Sequence, residues 1–254
     1  MEVLVCVKRV PAAGARVPLT GDGRDIDTRH LGFTIGPHEE CAVEEAVRLV
    51  AAHGGRVTVL AVGPAECAEQ VRYALAMGAD RGVLVDAGRS DPDPEATAGA
   101  ITQAVRTLTG GEEPFDLLLF GDCSADAGHH QVGIRVATGL GLPIVSGVKA
   151  LEVAGDGLRM RREAGDGVEV YRVPLPAAAA VREGLNLPRY PSLPGRLRAR
   201  KAELRTVAVE PEPGGLRTVR LRQPADDRAA VVVLGHGAAA APAVVDVLDE
   251  LGVV

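Results

Sequence analysis

One loop of this sequence carries a run of polar and nucleophilic residues: Gly121-Asp122-Cys123-Ser124-Ala125-Asp126-Ala127-Gly128-His129-His130-Gln131-Val132. An apolar run precedes it and a helical pattern grows out of its last residues. A turn of this kind offers free backbone N–H groups and the positive end of a helix dipole, which attract phosphate. It is neither G-x-G-x-x-G nor a Walker loop. The residues alone leave two readings open, a phosphate-binding turn and a plain glycine-containing turn. His129 and His130 are adjacent and cannot point the same way from a helix. They read as one phosphate ligand and one surface side chain rather than as a metal pair. Other chemistry is sparse: there is no H-E-x-x-H, no G-x-S-x-G and no paired carboxylates in a loop. Cys6, Cys41, Cys67 and Cys123 lack C-x-x-C spacing. That is neither a zinc site nor a disulfide framework, and it fits a reducing cytosol. The chain is therefore not read as an enzyme by itself.

In open α/β sheets, ligands bind outside the carboxyl ends of the strands. The loop therefore needs a parallel sheet beneath it. Apolar β-branched runs at 3–7, 57–62, 83–85 and 117–120 read as short buried strands. Between the first two, Val43, Ala46, Val47 and Val50 fall on one helical face, and Gly54-Gly55 ends that helix. A second helix covers 65–77. A third starts at the Asp93-Pro94 pair, carries Thr97, Ile101, Val105 and Leu108 on one face, and closes at Gly110-Gly111. A fourth spans 128–140, followed by a short strand at 144–145. This alternation predicts a doubly wound parallel sheet covered on both faces. Two further strand ends join the loop in one crevice, at 6–11 and at Gly63-Pro64-Ala65. After residue 147 the pattern changes. Segments 148–153, 158–162 and 168–173 are joined by G-D-G turns, which predict an appended antiparallel meander. A strand at 177–182 completes the expected domain of residues 1–184.

The chain of 254 residues can bury a full core, and with 46% hydrophobic residues it is globular. Trp is absent and aromatics are 2%, so Val, Leu and Ala must fill that core. No apolar run approaches the roughly 20 residues that span a bilayer. The acidic, immediately strand-like start argues against a targeting peptide, and a cytoplasmic location is expected. The net charge of −6 is uneven. Residues 189–205 carry Arg189, Arg196, Arg198, Arg200, Lys201 and Arg205 against Glu203, a net +5 that leaves −11 elsewhere. A basic segment on an acidic body seeks an acidic protein face. Nucleic acid is the weaker partner, because aromatics for base stacking are nearly missing. That segment follows Leu185-Asn186-Leu187-Pro188-Arg189-Tyr190-Pro191-Ser192-Leu193-Pro194-Gly195. Its prolines predict a stiff loop rather than a helix, with Leu193 held outward at an apolar tip.

This stretch resembles the partner-recognition loop of the electron transfer flavoprotein beta subunit, L-N-x-P-R-Y-x-[ST]-L-P followed by a basic run. The opening Val3-Leu4-Val5-Cys6-Val7-Lys8-Arg9-Val10 resembles that family's first strand. Ala42-Val43-Glu44-Glu45-Ala46-Val47-Arg48-Leu49 resembles its first helix, and Ala74-Leu75-Ala76-Met77-Gly78-Ala79-Asp80-Arg81 its second helix and exit. The resemblance implies a heterodimer with an alpha subunit that holds most of the FAD. It also implies AMP, or in some relatives a second FAD, on the beta subunit. The positions matching the family's nucleotide site are Cys6, Gly36-Pro37-His38-Glu39, Val62 and Gly121 to Val132. Within that loop Gly121, Asp126 and Gln131 keep the family's residues, Cys123 replaces a glutamine and His129-His130 replace a polar pair. Glu163 resembles a meander acid that pairs with an alpha-subunit arginine near the flavin. Leu193, Tyr190, Arg196, Arg198, Arg200 and Lys201 would dock electron-donating flavin dehydrogenases, such as acyl-CoA dehydrogenases. Electrons would then pass to a membrane quinone reductase.

The expected organisation is a nucleotide-binding domain to 184, a recognition loop and basic segment at 185–205, and a C-terminal arm at 206–254. The arm would wrap the alpha subunit, burying Val231 to Leu234 and an Ala-rich helix at 239–251. Two other readings compete. One is a stand-alone adenine-nucleotide-binding α/β protein. The other is an ATP-pyrophosphatase-like enzyme, disfavoured because no S-G-G-x-D-S loop is present.

Overall fold

The structure, a computed structural model, describes residues 1–12, 14, 17–86, 92–110, 114–209, 214–223 and 232–253. In chain order its strands and α-helices begin with β1 (Glu2–Val7), the short pair β2 (Val10–Pro11) and β3 (Phe33–Thr34), α1 (Pro37–His53), β4 (Arg56–Gly63), α2 (Ala68–Met77) and β5 (Arg81–Asp86). They continue with α3 (Pro94–Thr109), β6 (Leu117–Gly121), α4 (Val132–Leu140), β7 (Ile144–Ala154), β8 (Gly157–Ala164), β9 (Gly167–Pro174) and β10 (Ala177–Val181). The last are α5 (Leu193–Lys201), β11 (Leu204–Val207) and α6 (Ala241–Glu250). The main sheet runs β11-β5-β4-β1-β6-β10-β7-β8-β9. It is parallel from β11 to β7 and antiparallel across β7, β8 and β9. The doubly wound sheet and its meander are thus as the sequence predicts.

Alternating residues of each strand feed two cores, because successive side chains leave a strand on opposite faces. Val3, Val5, Val57, Val59, Leu117 and Leu119 meet α1 and α2 on one face. Leu4, Leu60, Leu118 and Phe120 meet α3 and α4 on the other. Both layers are built mainly from Val, Leu and Ala, as the near absence of aromatics requires. Helix ends follow the expected signals. Asp93 caps α3 through the Ala96 N–H at 2.8 Å, and Gly54 ends α1 with φ of 73°. Gly110 takes the C-cap of α3; its expected partner Gly111 lies outside the described residues.

Three expectations change. The fourth helix starts at Val132 rather than at 128. The strand expected at 144–145 extends to Ala154, because β7 leaves the parallel sheet and continues directly into the meander. The segment read as a stiff loop turns helical at Leu193. Ser192 Oγ accepts from the Gly195 N–H at 3.1 Å, and Pro194 sits in the first turn, where a helix has no use for its missing donor.

The basic segment is therefore a helix packed on α2. Arg72 Nη1 donates to the carbonyls of Ala199 and Ala202, at 2.6 and 2.8 Å, and so ties off the end of α5. Arg198 Nη2 donates to Leu75 O at 3.1 Å at the end of α2. β11 then pairs parallel with β5 at the sheet edge, so residues 204–207 join the sheet. Beyond them, Leu221 N–H donates to Gly23 O at 2.7 Å and Leu216 N–H to Asp93 Oδ2 at 2.6 Å. α6 buries none of its residues, and Val232, Val233 and Leu234 are exposed; Val231 lies outside the described residues. No helix among the described residues is long and apolar enough to cross a membrane.

The contact of α5 with α2 depends on a glycine. A Cβ at Gly195 would lie 2.5 Å from Ala76 O. Gly195→Ala is expected to cost about 1–3 kcal/mol by overpacking. Chemical denaturation checks it, and an unchanged midpoint would show that the two helices are not held in this contact.

Candidate functional site

The strand order places the site. From β1 the chain crosses to β4 and β5 on one side, then returns through α3 to β6 on the other. The loops leaving β1 and β6 therefore diverge to opposite faces and open a crevice at their carboxyl ends. Cys6, Val7 and Lys8 form one wall, and Gly121 to Ser124 with His129 to Gly133 form the other. The floor is apolar, with Leu60, Val62, Ile101 and Phe120. α4 opens onto the crevice with Gln131 at its N-cap making no side-chain capping bond, so its first N–H groups face a potential acceptor.

Of the residues predicted from sequence, Cys6, Glu39, Val62, Gly121, Asp122, Cys123, Ser124, His129, His130, Gln131 and Val132 line this cleft. Gly36, Pro37, His38, Ala125, Asp126, Ala127 and Gly128 are not among its lining residues. The expected helical donor at Gly128 is a correction. Gly128 stands before α4 in a left-handed conformation, and its N–H donates to Ser124 O at 3.2 Å. The two histidines are also not on a helix: His130 takes a φ of 55°, and both residues line the cleft. Lys8, Leu60, Thr97, Ile101 and Phe120 were not singled out as site residues. Lys8 was discoverable, since it lies in the loop after the first strand. The others read only as core positions.

Polar contacts fix the walls. Lys8 Nζ donates to Asp126 Oδ2 at 2.8 Å and bridges the two loops. Burial works against the Asp126 charge, but hydrogen bonds from Lys8 and Ser124 outweigh it and hold the carboxyl below its ordinary range. Asp122 is buried and receives Gly147 N–H and Arg182 Nε, each at 2.9 Å. It thus joins β6 to β7 and β10. Gly147 has a φ of 72°, a turn that suits glycine and aims its N–H at Asp122. Partial burial lowers His38, and its Nδ1 accepts from Cys123 N–H at 3.3 Å. Burial raises the thiols of Cys6 and Cys123, the latter also through Asp122. Neither cysteine is therefore an activated thiolate.

Among the described cleft-lining residues, Glu39 carries a buried oxygen without a hydrogen-bond partner. The residue is 4% exposed, and the oxygen is Oε2. Burial pushes its carboxyl up to about 7.

A second recess joins the first through Asp122 and His130 and is lined by Arg162, Glu163 and Arg182. Glu163 is exposed on β8. On the α1 side, the segment at 185–195 is anchored by its Asn and Arg. Asn186 Nδ2 donates to Cys41 O at 3.0 Å and to Glu45 Oε2 at 2.9 Å. Arg189 donates through Nε and Nη2 to Glu44, at 2.7 and 3.1 Å. Burial opposes the Glu44 charge, but hydrogen bonds from Arg189 and Arg48 hold its carboxyl low. With the backbone pinned there, Leu187, Tyr190 and Leu193 point outward, at 85%, 81% and 71% exposure. Arg196 lies over the Tyr190 ring at 5.1 Å, and Arg200 and Lys201 are exposed. Leu187 was not among the expected docking residues.

Burial of Glu39 has a measurable consequence. Between its ordinary 4.5 and about 7, the folded chain keeps a proton that the unfolded chain has lost. Stability should fall as pH rises through that window and level off above it. Glu39→Gln should stabilise the protein at about pH 8, by on the order of 3 kcal/mol at most, and change little near pH 4.5. Denaturation at the two pH values decides this; an equal effect at both would place the cause outside the titration.

The sequence profile of the electron transfer flavoprotein domain matches residues 25–212. The chain is 39% identical over 210 residues to the electron transfer flavoprotein subunit beta of Syntrophomonas wolfei, covering 82% of this chain and 80% of that protein. It is 33% identical to the subunit beta of Bacillus subtilis, covering 83% and 80%. It is 35% identical to the subunit beta of Homo sapiens, covering 85% and 83%. With the doubly wound sheet, the switch-point cleft and the anchored L-N-x-P-R-Y segment, these matches show that the chain belongs to the electron transfer flavoprotein family, in the line of its beta subunits.

Proposed function

We propose that this chain is the beta subunit of a heterodimeric electron transfer flavoprotein, carrying electrons from flavin dehydrogenases toward a quinone reductase. The observation that carries the reading is the match to beta subunits over more than four fifths of the chain. The molecule supports it in three places. The cleft at the ends of β1 and β6 has an apolar floor for a purine and the uncapped start of α4 for a phosphate. Those features fit AMP, held between Cys6, Val62, Gly121 to Ser124 and His129 to Val132. The recess beside Glu163 and Arg182 faces outward, where it would meet the alpha subunit near its flavin. α6 and the exposed Val232, Val233 and Leu234 offer the arm that would lie on that subunit.

An FAD bound mainly on the alpha subunit would supply the redox chemistry. This chain's part is to hold and to dock. Arg189 and Asn186 fix the recognition backbone on α1, so Leu193 and Tyr190 are presented with little freedom left to lose. Burying Leu193 in a partner pocket would contribute roughly 1.5–3 kcal/mol, or about one to two decades in affinity. Arg196, Arg200 and Lys201 would speed encounter with an acidic partner in a salt-sensitive way. Arg198 is held against α2 and contributes less.

In the complex co-expressed with its alpha subunit, Leu193→Ala should raise the concentration of carrier needed for half-maximal dehydrogenase turnover by about ten- to a hundredfold. Flavin content and heterodimer mass should not change. Unaltered transfer from every flavin dehydrogenase tested would reduce the segment to a connector. A chain that forms no complex with an alpha subunit and binds nucleotide alone would favour the stand-alone reading.

A further inference from the structure

The cleft wall contains a buried carboxyl group one of whose oxygens, Glu39 Oε2, has no hydrogen-bond partner. Glu39 stands in the first turn of α1, and its side chain lies across two glycines. A Cβ on Gly36 would come within 2.5 Å of Oε2, and one on Gly121 within 2.9 Å of Cδ. The absence of side chains at these two positions makes room for the carboxyl at the cleft edge. Having made room, the fold gives Oε2 neither a donor nor water contact.

The charges around it are already matched. From the loop after β1, Lys8 is paired with Asp126. From the loop after β6, Asp122 is paired with Arg182 and lies 3.4 Å from His130 Nδ1. On α1 itself, Glu40 accepts from Tyr73 Oη at 2.9 Å, and His38 faces Cys123 with its ring nitrogen as acceptor. Of these groups Lys8 alone favours an ionised Glu39, and it is already paired with Asp126, while Asp126 and Glu40 oppose that charge. An ionised Glu39 would also stand beside the place proposed for a phosphate monoester, which itself carries about −1.5 to −2 charge at neutral pH. Two unscreened negative charges in a partly dry cleft repel strongly. A protonated Glu39 removes that repulsion and supplies an O–H donor for the free acceptor positions of a phosphate or ribose oxygen.

We propose that a phosphorylated nucleotide enters this cleft together with a proton taken up by Glu39, so that occupancy of the site is set by pH in the neutral range. The proposal rests on the nucleotide reading given above. The direction of the Glu39 shift agrees with it, since burial already places the carboxyl at about 7 before any anion arrives, and a bound anion raises it further. Because the ligand's own second ionisation lies near pH 6, the nucleotide stays dianionic across the upper part of the range, and the titrating group there belongs to the protein.

The test is calorimetric titration of AMP into the nucleotide-stripped alpha–beta complex, in buffers of different ionisation enthalpy, between about pH 7 and pH 8.5. The wild type should take up close to one proton per AMP at the upper end, with affinity falling about tenfold per pH unit. Glu39→Gln should take up far less, bind with nearly flat pH dependence, and exceed the wild type about tenfold or more at pH 8.5. Absence of proton uptake in the wild type overturns the proposal without any variant. An unchanged slope in Glu39→Gln also overturns it. If AMP binds at no pH, the nucleotide reading itself fails, and the two failures are told apart.

Discussion

Everything in this molecule is arranged around β1 being buried on both faces and paired on both edges. Val3, Leu4 and Val5 have no exposed surface, and β4 and β6 flank the strand in parallel. A parallel neighbour on each side forces the chain to cross over in opposite directions, with α1 on one face and α3 on the other. The loops that leave β1 and β6 must then part, and the gap between them is the cleft. Lys8 and Asp126 bridge that gap, while Asp122 carries the support onward to β7 and β10 through Gly147 and Arg182. The meander is tied to the cleft by the same aspartate, so the cleft wall and the outward recess beside Glu163 share one anchor.

The segment at 185–195 is held on α1 by buried contacts of the same kind. Glu44 is almost fully buried, yet it remains charged because two arginines reach it. Removing Arg189 would leave a buried carboxylate short of donors, which costs more than the pair itself contributes. The exposure of Tyr190 and Leu193 is thus a consequence of where Asn186 and Arg189 must sit. α5 follows as a helix because Ser192 caps it and Arg72 closes its far end. Its positive side chains gather in the last turn, where the helix dipole favours them.

Much of this was legible in the sequence. Strand runs at residues 3–7 and 117–120, the Asp93-Pro94 start and the two G-D-G turns each carry a local signal, and their elements appear where those signals stand. What was not legible depends on distant partners. Prolines at 191 and 194 argue against a helix on their own, and only the Ser192 cap and the seat on α2 decide for one. The start of α4 moved to Val132 because Gly128 and His130 both take a left-handed conformation, which no right-handed helix accepts. β11 was invisible because four residues become a strand only by pairing with β5. In the cleft, Cys6, His129 and His130 were found as loop residues. Glu39 came only through family resemblance, and nothing in the sequence marks it as buried and unpartnered. That isolation arises from Gly36 and Gly121 lying beneath it.

The most direct measurement is the composition of the small molecules released on denaturing the complex of this chain with its alpha subunit. The account predicts FAD and AMP in equal amounts, one of each per heterodimer, with the AMP lost when the cleft loop from Gly121 to Val132 is replaced. Two flavins per heterodimer and no AMP would contradict the proposed occupant and mark an electron-bifurcating relative. No nucleotide beyond the alpha-subunit flavin would contradict the role given to the cleft.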